Sequence, residues 1–234
     1  LSGWLRGGRD RALTGGTLTV HGLGVSGLSW ARSEASLEAG PAGWRADAVR
    51  LGDEVGGWIA RRDGNWSGRL TWHTIRLPRG LAMAGGPSLD IEGRARGEVT
   101  FGTSLARMWA VLEDGRVAGS PCRASARALV KGGLLTIQEA SLWAGSGRLE
   151  VSGSLNIDRW EAQPVVVTLR SVEAGLLSRL AGQPSPGWLS ELKGPVSGRI
   201  SVNGPVATSD KLFEFAAPRL THGSAALGET SIQG

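Results

Sequence analysis

From residue 89 to residue 101 the chain alternates without a break. The odd positions are Leu89, Ile91, Gly93, Ala95, Gly97, Val99 and Phe101, and the even ones are Asp90, Glu92, Arg94, Arg96, Glu98 and Thr100. Successive side chains of a strand point to opposite faces, so the segment predicts a strand with one apolar and one charged face. Residues 149–157 repeat the pattern, with Leu149, Val151, Gly153, Leu155 and Ile157 against Glu150, Ser152, Ser154 and Asn156. Residues 196–204 do so again, with Ile200 and Val202 against Arg199, Ser201 and Asn203. Weaker copies lie at 17–20, 44–51, 68–77, 121–129, 134–143, 165–169 and 212–215.

Strand follows strand through glycine turns such as Gly132-Gly133 and Gly145-Ser146-Gly147. Turns this short join antiparallel neighbours. No regular strand–helix alternation supports a parallel sheet. Helical spacing occurs in two patches. Val172, Leu176, Leu177 and Leu180 share a face before Gly182-Gln183-Pro184 ends it, and Leu105, Met108, Trp109 and Leu112 form a second. Residues 186–192 suggest one further helical turn. The stretch 183–187 is the best candidate joint, and it is too short for a domain boundary. The expected fold is all-β: one module over 1–234, with long antiparallel strands curled into an open, taco-like hydrophobic groove and one or two short helices. The chain opens and closes within the glycine-rich pattern, as a piece of a longer protein would.

Composition narrows the function classes. Gly 37 without a G-X-Y period excludes collagen and suits many short turns. The net charge of +5 is spread singly along the chain, with no basic run to mark a nucleic-acid stripe. Cys122 is the only cysteine, which excludes an internal disulfide and a cysteine-cluster metal site. No apolar run is long enough to span a membrane as a helix, and no signal peptide opens the chain.

Reactive chemistry has little to stand on. His21, His73 and His222 lie in unrelated segments without a second ligand at metal spacing. No Gly-x-Ser-x-Gly and no phosphate loop occurs. Residues 22–27 spell G-x-G-x-x-G, but a dinucleotide site also needs a helix and then a second parallel strand. Residues 28–39 carry three serines and no clean apolar stripe, so chance in a glycine-rich chain explains the match. Asp53/Glu54 and Glu113/Asp114 are read as solvated acids at turns. No catalytic residue, metal or cofactor is assigned.

The remaining question is where the apolar faces go. A sandwich buries them between two sheets; helices would do the same, but helical material is scant here. A sheet curled with its apolar side inward leaves a trough in which each buried acyl CH₂ gains about 0.8 kcal/mol. A ten-residue strand spans about 33 Å, enough to curve around a lipid tail. Small residues such as Gly93, Ala95, Gly97 and Gly153 would permit the curvature and leave room. The candidate lipid-binding lining is Leu89, Ile91, Val99, Phe101, Leu149, Val151, Leu155, Ile157, Val165, Val167, Leu169, Ile200, Val202, Phe213 and Phe215. A packed core uses the same residue types, so both uses stand. Trp143, Trp160 and Trp188 fall near strand ends, suited to edge capping or to a headgroup level.

Residues 132–227 resemble the repeat region of the AsmA-like/TamB family. The resemblance rests on GRLEVSGSL at 147–155, the Leu-rich segment ending at Leu180, and GPVSGRISVNGP at 194–205. It covers about 40% of the chain, and type II secretion N proteins share the style. It implies a non-enzymatic periplasmic module, part of a protein anchored in the inner membrane. Such a protein conducts phospholipid toward the outer membrane, supports outer-membrane biogenesis and works with a BamA-type barrel partner. The competing readings are a β-sandwich or solenoid scaffold, adhesin or secretion component with a dry core, and an outer-membrane barrel. Tyr 0 argues against the barrel, which needs aromatic girdles.

Overall fold

The computed structural model describes residues 16–25, 28–77, 81–82, 88–89, 91–180, 191–205, 208, 210–222 and 224–233. In chain order the first strands are β1 (Gly16–Val25), β2 (Leu28–Gly40), β3 (Gly43–Leu51), β4 (Val55–Arg62) and β5 (Asn65–Leu77). After the short β6 (Leu81–Ala82) and β7 (Ser88–Leu89) come β8 (Ile91–Phe101), β9 (Leu105–Val117), β10 (Ser120–Lys131), β11 (Leu134–Ala144), β12 (Gly147–Asn156) and β13 (Glu161–Glu173). Helix α1 (Ala174–Leu180) follows, then β14 (Leu192–Lys193), β15 (Pro195–Pro205), β16 (Asp210–His222) and β17 (Ala225–Gln233).

Fifteen strands form one antiparallel sheet in the order β1-β2-β3-β4-β5-β8-β9-β10-β11-β12-β13-β15-β16, with β14 and β17 both pairing with β16. Each long strand therefore hydrogen-bonds to its sequence neighbour, as the short glycine turns predict. The sheet does not close. β6 and β7 make a separate pair of two residues each, so among the described residues no second sheet covers the large one. The accessible surface is 15364 Å², where a compact chain of this length exposes about 10,000 Å². The open, curled all-β architecture expected from the alternation is the one observed.

The curl has a visible cause. The strand pairs of the sheet carry register shifts at Glu34/Ser36, Ala46/Val49, Glu92/Arg94, Cys122/Ala124, Ile137/Ala140, Gly153/Leu155, Ala162/Val165 and Leu169/Val172. A bulge bends its strand and increases the twist. Ala48 (φ 47°), Asp114 (φ 48°) and Ser171 (φ 50°) lie inside such shifts in left-handed conformations, each at a cost of about 1 kcal/mol. Pro164 falls in the β13 bulge, where a missing N–H is tolerated.

Bending brings distant strands together. One buried cluster joins Ala95, Leu112, Val117, Ala118 and Cys122 of β8–β10 and their turn to Leu169, Val172 and Leu176 of β13 and α1. β9 and β13 are four places apart in the sheet, about 19 Å if it were flat. The shared cluster requires the apolar face to turn inward at this end, with α1 packed against it. Even so, no large side chain among the described residues is fully buried.

Several expectations need correction. Leu105, Met108, Trp109 and Leu112 lie in β9, so the second helix does not form. Residues 28–39 lie in β2, antiparallel to β1, so no helix follows the glycine motif, in line with its reading as a chance match. Glu113 and Asp114 stand at a β9 bulge rather than at a turn. The helix predicted around Leu176 is present as α1, while Val172 belongs to β13. The joint at 183–187, Trp188 and most of the helical turn expected at 186–192 lie outside the described residues, and Leu192 lies in β14. Among those described, no helix is long and apolar enough to cross a membrane.

Candidate functional site

Cross-strand partners lie on the same face, so the register traces the apolar surface strand by strand. From β16 to β10 one row runs Phe213, Ile200, Val167, Val151, Ala140, Ala126. It continues through Ala110, Gly97, Trp72, Val55, Leu51, Ser33 and Val20 to the β1 edge. Thirteen strands contribute, and only Ser33 is polar. At 4.8 Å per strand the row is about 58 Å long. A parallel row holds Phe215, Gly198, Leu169, Leu149, Leu142, Ala124, Leu112, Ala95 and Ile75.

The predicted lining residues divide between these rows and two more. Val151, Val167, Ile200 and Phe213 share the longest row; Leu149, Leu169 and Phe215 share the second. Val202, Val165 and Val99 lie in a third with Gly153, Ile137, Ala128, Met108 and Leu70. Leu155 and Phe101 lie in a fourth with Ala162, Leu135, Val130, Ala106 and Gly68. Ile91 pairs with Val117 on the same face. Two predicted members leave the set. Leu89 belongs to β7 and pairs with Leu81 in the separate small sheet rather than joining β8. Ile157 stands in the β12–β13 turn, where the alternation no longer applies. Leu169, at 3% exposure, is core, and Ile91, Leu149, Val167 and Phe215 pack against that core.

The inner glycines do not leave room as expected. Aromatic rings from the neighbouring strand lie across them: Phe101 over Gly68, Trp72 over Gly97 and Phe215 over Gly198. A Cβ on Gly97 would stand 2.5 Å from the Trp72 ring, and one on Gly198 would stand 2.5 Å from Phe215. Phe213 and Phe215 stack along their strand at 5.7 Å. The result is a face of flat rings and short aliphatic groups.

The opposite face carries the ion pairs, interrupted on β9 by Leu105, Trp109 and Val111. Arg69–Glu98 (2.7 Å), Arg96–Glu113 (2.9 Å) and Arg148–Glu150 (2.8 Å) bridge positions along it, and Arg94 pairs with Asp114. The Arg69 guanidinium holds Glu98 below the usual carboxylate range, and Arg45 does the same for Asp47. Burial pushes the Cys122 thiol up, which leaves less of the reactive thiolate. A hollow of about 940 Å³ opens over β8–β11, bordered by Glu98, Arg107, Trp109, Val111, Arg127 and Glu139. No alternation marks it in the sequence, because the apolar residues of β9 fall on both faces of the strand. Among the described residues, no three metal-ligating groups gather.

Turns alternate between two ends of the sheet. One rim collects the turns at 41–42, 63–64, 102–104, 132–133 and 157–160; the other collects those at 52–54, 118–119 and 145–146 and the connection bearing α1. The rows of the apolar face run between these rims. No family model, curated protein or solved structure matches the chain.

Proposed function

We propose that this chain is a non-enzymatic lipid-binding module whose curled sheet shields phospholipid acyl chains along its apolar face. The observation that carries the reading is the apolar row across thirteen strands, with no second sheet against it among the described residues. Water against such a row is costly, and acyl chains relieve that cost by about 0.8 kcal/mol per buried CH₂. The outer face, with its ion pairs, keeps the other side in water. The resemblance of residues 132–227 to AsmA-like/TamB proteins supports phospholipid transfer between inner and outer membrane as the setting. It also brings an inner-membrane anchor, a periplasmic place and a BamA-type barrel partner into the proposal.

The test is lipid extraction and native mass spectrometry on protein purified without detergent. Co-purifying phospholipid is expected; lipid-free protein overturns the reading. A paired Val151→Asp and Val167→Asp variant should lose that lipid with its strand content intact by circular dichroism. A second reading, a scaffold with a dry core, draws on the cluster packed under α1. Collapse of the paired variant to an unfolded chain would favour it.

A further inference from the structure

Exposed large apolar side chains are unevenly placed on the two rims. Trp66 (46% exposed), Ile157 (36%) and Trp160 (50%) stand at the β4–β5 and β12–β13 turns of one rim, whereas the helix-bearing rim shows Trp143 (37%). That second rim turns Val117, Ala118, Val172 and Leu176 into the buried cluster instead. The β4–β5 and β12–β13 turns are six strand spacings apart in the sheet order, about 29 Å along the rim.

This spacing bears on the partner. Protein interfaces gather their aromatic anchors near one centre, and tips so far apart along an edge make no such patch. A bilayer surface offers the same apolar–polar boundary at every point along the rim. Indole suits that boundary, with its ring among acyl chains and its N–H in the headgroup layer. Trp66 also meets Trp44 edge-on at 5.5 Å and lies under the Arg61 guanidinium at 5.7 Å, so its ring is held at the end of the hairpin. Charges here nearly cancel: Arg61, Arg62, Lys131 and Arg159 stand against Asp63, Asp158 and Glu161.

We propose that this rim docks on a phospholipid bilayer, with Trp66 and Trp160 inserted at the headgroup level. The docking deepens the lipid-module reading and rests on it for its role, since lipid would enter the apolar face across the docked rim. Its own basis is the rim residues. The near-balance of charge means that insertion, rather than attraction to anionic lipid, carries the binding.

Flotation of the purified chain with phosphatidylcholine vesicles tests this. The wild type should float, and high salt should leave the bound fraction unchanged. Trp66→Ser combined with Trp160→Gly should weaken vesicle binding about tenfold, with strand content unchanged by circular dichroism. Trp160 already has a left-handed φ of 51°, which glycine adopts freely. Trp143→Ser on the other rim should float as the wild type does. The proposal falls if the wild type fails to float, if Trp143→Ser loses as much as the double variant, or if salt abolishes binding. Lipid extraction and flotation of the same wild-type protein separate the two ideas. Failure of the groove reading shows as lipid-free protein that still floats; failure of the docking shows as lipid-loaded protein that does not.

Discussion

At Gly97 the neighbouring strands decide which side chain fits. A Cβ there would stand 2.5 Å from the Trp72 ring and would also meet the Trp109 carbonyl oxygen. The ring can shift; the backbone oxygen cannot without distorting the ladder. Gly97→Ala should therefore destabilise the protein by about 1–3 kcal/mol, read as a lowered midpoint in chemical denaturation. An unchanged or raised midpoint would show that the strand gives way freely. Alternation alone assigns Gly97 to the apolar face. It cannot reveal the ring above it, because Trp72 is brought alongside only by strand pairing. The same limit explains why Gly97 looked like free space when it is filled.

At the level of elements, β8, β12 and β15 were legible because each has one apolar and one polar face. β9 was not. Its apolar residues fall on both faces, with Met108 and Leu112 on one and Leu105, Trp109 and Val111 on the other, so no period of two stands out. Leu105, Met108, Trp109 and Leu112 then fit helical spacing. In the fold, β8 and β10 offer hydrogen-bonding edges on both sides, and that pairing overrides a weak local preference. Helix α1 was readable in outline, yet its task was not. Leu176, at 4% exposure, belongs to the cluster shared by β8–β10 and β13. Leu176→Ala should cost about 2–5 kcal/mol by denaturant titration with little change in strand content. A loss well below that range would mean the helix rests on the sheet without holding the bend.

For the whole molecule, the uncovered apolar face makes a further prediction. Chain stripped of lipid should bind a solvatochromic apolar dye, and added phospholipid should displace it. Protein that binds no dye after stripping would point to a dry face. Much of the architecture followed from the residues in order: polar and apolar positions in alternation, and glycine turns short enough to force each strand beside the next. Those are local properties, set by the opposite pointing of successive side chains and by the few conformations a tight turn allows. The bend, the grouping of β8–β10 with β13 and α1, the rings over the glycines and the unequal rims arise only in the tertiary structure. They depend on bulges that shift one strand against another, and on contacts between residues far apart in sequence, which no local pattern encodes.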